Sequence, residues 1–302
     1  MPFFNSAATL ELAVRSLLHQ TYDDLELLLC DDGSDDRSLA IARSLDDPRI
    51  ICWSDGKRRR LAARLNECID RARGIYLARM DADDIAYPDR LACQLAFLVS
   101  QPAVDLCGAS AMVFGKRGRP LWRFNPEKDH AGIVKSPHRG FPLWHPVWMG
   151  HVAWFRRWRY DERAWLAQDQ ELLLRSYRHS VFANLPGILL GYRRERTSLR
   201  KLLRYKLLHI QHVRDQPGDH GAGQTLQLLA ISAARFAANC AAALAGSEQR
   251  LGHQAAQEPS AAELAEWHAL WMVLSSWCGT PSNELFIPAS LLPRNEDKQG
   301  CP

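Results

Sequence analysis

Across residues 1–115 short apolar runs alternate with stretches whose apolar residues recur at helical spacing, and nothing else in this 302-residue chain narrows its fold as much. Leu10, Val14, Leu17 and Leu18 share one helical face, with Asn5 or Ser6 placed to cap the helix. Residues 25–30 (LELLLC) read as a buried strand, stopped by the acidic turn Asp31-Asp32-Gly33-Ser34. A helix over residues 36–45 and a strand over 50–53 follow. Leu61, Leu65, Cys68 and Ile69 mark a third helix, and residues 75–80 a third strand ended by Asp81-Ala82-Asp83-Asp84. Pro88 suits the first turn of the next helix, which turns Leu91, Leu95 and Leu98 inward, and residues 104–114 form another strand. Strands alternating with amphipathic helices imply an α/β fold with parallel pairing. Ligands of such sheets bind beyond the carboxyl ends of the strands. Both acidic clusters fall at such ends.

From residue 115 to about 160 the pattern gives way to Pro, Gly, His and Trp with weak periodicity, which reads as a loop-rich lobe. Residues 164–177 are helical and residues 185–192 suit one more strand. Past Arg200 the chain is helical and alanine-rich, broken at Pro217-Gly218 and over residues 246–260, with a frayed end and no internal repeat.

Composition narrows the function classes. Apolar residues at 47% and charged residues at 24% are ordinary for a soluble globular protein. A net charge of +4 is too small to argue for a nucleic-acid partner, and none is expected. The 8 cysteines are scattered with no C-x-x-C pair, which excludes zinc-ribbon and thioredoxin readings and suits buried thiols in a reducing, cytoplasmic setting. No run reaches the ~20 apolar residues of a membrane span. The nearest, residues 226–246, is interrupted by Gln227, Arg235 and Asn239. The opening MPFFNSAATL has neither the basic nor the apolar region of a signal peptide.

Carboxylates at two strand ends admit three readings: solvated turn acids, a phospho-receiver domain, or a nucleotide-sugar site. In the last, one cluster meets the nucleoside and the other holds a divalent cation on the diphosphate. It explains more, since a receiver needs only about 120 residues of a chain this long. An Asp-x-Asp turn offers hard oxygen ligands while leaving positions open for phosphate, so Mn²⁺ or Mg²⁺ is expected.

Four segments then carry a family resemblance: PFFN at residues 2–5, LLHQTYDDLELLLCDDGSDD at 17–36, YLARMDADDIAYPDRL at 76–91 and AQDQELLLR at 167–175. Together they resemble a family 2 glycosyltransferase. The resemblance implies a GT-A fold, a Rossmann-like, mostly parallel nucleotide-sugar-binding sheet flanked by helices, over residues 1–198, with a helical C-terminal extension over 199–302. It implies Asp32 at the base and Asp81 at the ribose of the donor nucleotide; Pro2 and Phe4 of the PFFN turn and Arg60, just before the third helix, are further nucleotide-sugar-binding candidates. Asp83 would bind the metal and Asp169 would act as catalytic base. The expected activity is inverting transfer from a nucleotide diphosphate sugar to a hydroxyl of a glycan or lipid-linked acceptor, in cell-surface polysaccharide or glycan assembly. A non-catalytic sugar-nucleotide binder and a receiver-like module are the competing readings.

The chain departs from the family at three places. Gln168-Asp169 stands where an acidic pair is usual, and Phe4 where a Tyr is usual. The family's full first strand is lacking before the PFFN turn. Either the start is set too far downstream, with five or so β-branched residues encoded in frame before Met1, or the sheet centre is uncovered. Arg59, Arg60 and Arg64 are candidates to reach phosphate, and His145, within PLWHPVWMG, to touch acceptor or metal. Trp144, Trp148, Trp154, Trp158 and Trp165 cluster nearby, as core or as sugar-stacking faces. Two apolar groups, Leu226, Leu229, Ala233, Phe236 and Ala237 beside Arg235, and Leu270, Trp271 and Leu274, suit either packing on the catalytic domain or peripheral attachment at the inner membrane face.

Overall fold

Pro2–Phe3 (β1), Leu27–Asp31 (β2) and Ile50–Ser54 (β3) pair in parallel in the order β1-β2-β3. All five residues of β2 are buried, as a strand covered on both faces requires. Leu10–Leu18 (α1) and Ser38–Ser44 (α2) are the connecting helices. The computed structural model describes residues 1–137, 140–164, 166–194, 208 and 256–277. Expectations for residues 226–237, for Trp165 and for the boundary at 198 lie outside them.

After Arg60–Arg71 (α3) the chain enters a second, seven-stranded sheet. Its strands are Tyr76–Ala78 (β4), Ile85–Ala86 (β5), Leu106–Phe114 (β6), Pro120–Phe124 (β7), Met149–His151 (β8), Phe182–Arg193 (β9) and Ala256–Gln257 (β10). Between them run Arg90–Ser100 (α4), His130–Ile133 (α5), Val152–Trp158 (α6) and Gln168–Ser176 (α7), and Ala261–Trp277 (α8) ends the described chain. The path is β10-β7-β6-β8-β4, with β9 on β6 and β5 on β9. Pairing is parallel within the first sheet and between β6 and β9, and antiparallel at β4–β8, β5–β9, β6–β7 and β6–β8. The nine residues of β6 are all buried, with β7, β8, β9 and α4 packed against it.

Local chemistry moves several boundaries. Thr9, not Asn5 or Ser6, stands at the cap of α1. Asn5 instead adopts φ 48° and clasps Asp35, donating from Nδ2 to Oδ1 at 2.7 Å and accepting from the Asp35 amide at 3.1 Å. Pro88 lies just outside α4, whose cap is Asp89. The stretch read as loop supplies β7, α5, β8 and α6. Trp148 and Trp154 are fully enclosed, and Trp144 stacks on Phe124 at 3.9 Å. Trp148 and Trp154 are core, as one of the two readings has it.

The described part of the extension folds back onto the sheet. Ser260 and Glu263 cap α8 reciprocally: Ser260 Oγ accepts from the Glu263 amide, and the Glu263 carboxylate from the Ser260 amide. Trp267, Leu274 and Trp277 recur on one face and are buried. Trp267 donates from Nε1 to Gly118 O at 2.7 Å and packs on Phe114, while Trp277 stacks on His19 at 4.2 Å. Leu270 and Trp271 pack in the same cluster with Leu274, so this group belongs to the core rather than to a membrane. The docking groove needs Gly191, where a Cβ would come within 2.5 Å of the Trp267 ring. We expect Trp267→Ala to destabilise the protein by about 3–5 kcal/mol, read as a lowered urea midpoint, the usual effect of emptying a buried aromatic site.

Candidate active site

Just past the end of β4 lie three carboxylates that converge closely enough to hold a metal ion. Arg79 and Asp81 follow β4 directly, two residues apart. Arg79, 4% exposed, grips the Asp81 carboxylate with both terminal nitrogens, Nη1 to Oδ2 at 2.8 Å and Nη2 to Oδ1. Carboxylate oxygens of Asp81, Asp83 and Asp84 lie within 4.8 Å of one another. Asp84 is fully buried: Oδ1 accepts from the Arg193 amide at 2.8 Å, and Oδ2 has no hydrogen-bond partner. Arg193 Nε donates to the Asp83 carbonyl, so β9 braces the turn from its other side.

This crowding shifts protons. Burial, then the charge of Asp81, pushes Asp83 up to about 6, and burial with both neighbours holds Asp84 well above the carboxylate range. Three converging carboxylates, one with a buried oxygen lacking any donor, suit a hard divalent cation. Sequence pointed to Asp83; the geometry adds Asp84.

Asp32 closes β2 and is nearly buried. It accepts from the amides of Arg59 at 2.6 Å and Arg60 at 3.0 Å and from Arg64 Nε at 3.0 Å. Arg60 takes φ 71° to turn its amide inward. Gly33, at φ 73°, lets this loop close, since a Cβ there would meet the Lys57 carbonyl carbon at 2.9 Å. Arg64 does not face solvent phosphate: with no exposed surface, it binds Asp32, Glu67, Asp55 and the Lys57 carbonyl. Arg59 pairs with Glu67. Pro2 is buried opposite Cys30, and the Arg58 guanidinium covers the Phe4 ring at 3.3 Å from its centre.

Asp169 stands apart, in the first turn of α7, with Gln170 Nε2 donating to it at 3.4 Å. Burial raises its carboxyl above the ordinary range, and the charge of Arg79 reaches it. The same guanidinium acts on Tyr160 and on His145. His145, expected to touch acceptor or metal, is 6% exposed and joined through Nε2 to Tyr160 Oη at 2.7 Å. Burial holds its imidazole neutral, well below the usual histidine range. Arg79, Asp84, Tyr160 and Arg193 are the site residues that sequence reasoning missed. For Arg79 the signal was present: an arginine inside an apolar strand, two residues before an acid.

Residues 1–162 match the family model described as Glycosyl transferase family 2. A putative glycosyltransferase of Bacillus subtilis, EpsE, is 34% identical over 183 residues, 59% of this chain and 65% of that protein, so the chain spans just under two thirds of its length. An Escherichia coli protein, UDP-Glc:alpha-D-GlcNAc-diphosphoundecaprenol beta-1,3-glucosyltransferase WfaP, is 32% identical over 98 residues, 32% of this chain and 39% of that one. The fold is that of the mannosyltransferase PcManGT from Pyrobaculum calidifontis, solved in complex with GDP-Man and Mn²⁺: TM-score 0.56 and 19% identity over 91% of this chain and 81% of that one. No helix among the described residues is long and apolar enough to cross a membrane.

The raised carboxylates give a pH test with a definite sign. Protons and a divalent cation compete for the same oxygens, so Mn²⁺ affinity, measured by calorimetry, should rise as pH is raised through about 6. Without metal these groups hold more protons folded than unfolded between the ordinary carboxylate range and about 6. The metal-free protein should therefore lose stability as pH rises through that window, and Mn²⁺ should restore it.

Proposed function

Because the chain belongs to glycosyl transferase family 2, we propose that it catalyses inverting transfer of a sugar from a nucleotide diphosphate donor to a hydroxyl of a glycan or lipid-linked acceptor. The observation that carries this reading is a division of carboxylates under one cation. Asp81, Asp83 and Asp84 converge at the end of β4, Asp169 stands separately on α7, and the charge of Arg79 acts on both groups.

Asp83 and Asp84 would hold a divalent cation, which would supply charge neutralisation for the departing diphosphate. Asp81, fixed by Arg79, is oriented toward the ribose. Asp32, locked by two amides and Arg64, shapes the base side of the pocket, with Phe4, Pro2 and Arg60 along its edge. Asp169 takes the proton of the acceptor hydroxyl as that oxygen bonds to C1 and the bond from C1 to the diphosphate oxygen breaks. A base with a raised pKa suits this role, since it accepts a proton more readily than an ordinary carboxylate. Gln168 in place of a second acid removes one negative charge beside it without removing the base.

WfaP, by its name, acts on a diphosphoundecaprenol-linked sugar. That supports an acceptor of related chemistry, met at the cytoplasmic face of the membrane, in polysaccharide or glycan assembly. The family match over residues 1–162 leaves no ground for the receiver reading.

The test separates the two acidic groups by role, using calorimetry with Mn²⁺ and a panel of UDP- and GDP-sugars beside initial rates. Asp83→Asn should weaken metal and donor together, because an amide oxygen is a poorer ligand for a hard cation. Asp169→Asn should leave donor affinity near wild type and cut turnover by a factor on the order of 10²–10⁴. Loss of donor binding in Asp169→Asn, or wild-type turnover with it, would overturn the assignment. A protein that binds donor but transfers to no acceptor would be the non-catalytic binder.

A further inference from the structure

Asp169 has a single side-chain hydrogen-bond partner among the described residues, the amide of Gln170. Gln170 is the next residue on α7 and is buried. Its Oε1 accepts from the Phe141 amide at 2.8 Å. A backbone N–H can only donate, so this bond fixes which end of the side chain is oxygen and leaves Nε2 facing Asp169 Oδ2 at 3.4 Å. The Phe141 amide is itself a fixed point. Its ring is packed in the core against Tyr177 and Phe182, with centroids 5.7 and 6.4 Å away. The preceding Gly140 comes so near that a Cβ there would lie 3.1 Å from Gln170 Oε1, and its φ of 96° favours glycine in any case.

We propose that Gln170 is a positioning residue for Asp169: anchored on Phe141, it aims the carboxylate and keeps it in the charged form that can take a proton. The inference rests on Asp169 acting as the base and goes beyond that reading by naming what sets the base. The 3.4 Å contact is long for a hydrogen bond to a carboxylate. Such bonds are often loose before substrate binds and tighten in the complex.

The surroundings show why a donor is needed there. A carboxylate enclosed by protein loses solvation, which favours its protonated form, while donated hydrogen bonds favour the charged form. Burial is the largest influence on Asp169, and the backbone and side-chain N–H groups of Gln170 come next, in the opposite sense. Arg79, just past β4, adds its charge on the same side as Gln170. Tyr160, just past α6, feels the charge of Asp169, and burial pushes its hydroxyl up so that it stays un-ionised. Glu171, the other acid of α7, binds Arg175 through both oxygens. Gln170 is therefore the one side chain among the described residues that both touches Asp169 and opposes its neutralisation.

The test uses Gln170→Glu and Gln170→Met. The first keeps the volume and still accepts from Phe141, but it replaces the donor with a second carboxylate. The Phe141 amide favours the charge on the introduced group, so the proton shared by the pair sits on Asp169. The second variant keeps much of the length and donates nothing. Two readouts are compared. Carboxyl carbon-13 NMR of aspartate-labelled protein, with Asp169→Asn to assign the signal, follows the titration of Asp169 without donor or turnover. The acid limb of the kcat profile, with Mn²⁺ and a panel of UDP- and GDP-sugars, follows the base in use. Gln170→Glu should move both curves up by about one pH unit, and Gln170→Met should move both by less. Donor affinity, by calorimetry, should stay within about twofold of wild type. A Gln170 that served packing alone would lower the thermal midpoint and leave both curves in place, which overturns the inference. So does a shifted titration with an unmoved rate profile. The transfer reading fails separately: a wild type that transfers no sugar, in a series whose titration shifts as expected, loses that reading while Gln170 still sets the charge of Asp169.

Discussion

Four carboxylates, Asp32, Asp81, Asp83 and Asp84, are held just past the ends of two strands, Asp32 and Asp84 buried and the other two partly so, and two buried guanidiniums, Arg64 and Arg79, offset that charge. Everything around them follows from keeping those guanidiniums in place. Arg64 uses Nε on Asp32, Nη1 on Glu67 of α3 and Nη2 on Asp55 and the Lys57 carbonyl in the loop before α3, which draws residues 55–60 over the end of β2. The backbone accepts a left-handed Arg60 to finish the cage. Arg79 is held in turn by Arg90, whose Nη2 donates to the Arg79 carbonyl at 2.5 Å. Removing one partner from such a group leaves an unpaired buried charge, a loss of about 3–5 kcal/mol, so the arrangement stands or falls together.

Much of this was legible in the sequence, and the reason is periodicity. β2 and β6 lie close to where their apolar runs put them because a strand covered on both faces has no polar alternation to blur it. The acidic turns announced the strand ends because Asp and Gly are what a strand-to-helix turn requires. The partners of those acids were not legible. Arg64 lies 32 residues from Asp32, and only the crossover through β3 brings them together. The arginines of α3 therefore read as candidates to reach phosphate, when Arg64 is among the least exposed of the described side chains.

Ambiguity was of another kind at α8. Leu270, Trp271 and Leu274 offer an apolar surface that a bilayer or a sheet satisfies equally, and composition does not choose between them. What chose was a groove elsewhere, between Gly118 and Gly191, shaped to an indole. Asn5 shows the same limit at small scale: its side chain suits a helix cap, but Asp35 across the loop offered both a donor and an acceptor. β5, two residues long, carries no periodicity at all, yet it pairs with β9 behind Asp84.

The indole groove has a consequence for how the chain is made. Phe114, Met112 and Ile85 are finished early, but their cover, Trp267, lies 149 residues beyond Gly118. At ~5–20 residues per second on the ribosome, roughly 7–30 s pass between the emergence of that face and its partner. Through that interval the growing polypeptide carries a greasy ledge with no lid. Chaperone attention during synthesis, rather than the speed of any later folding step, is what this order of elements demands.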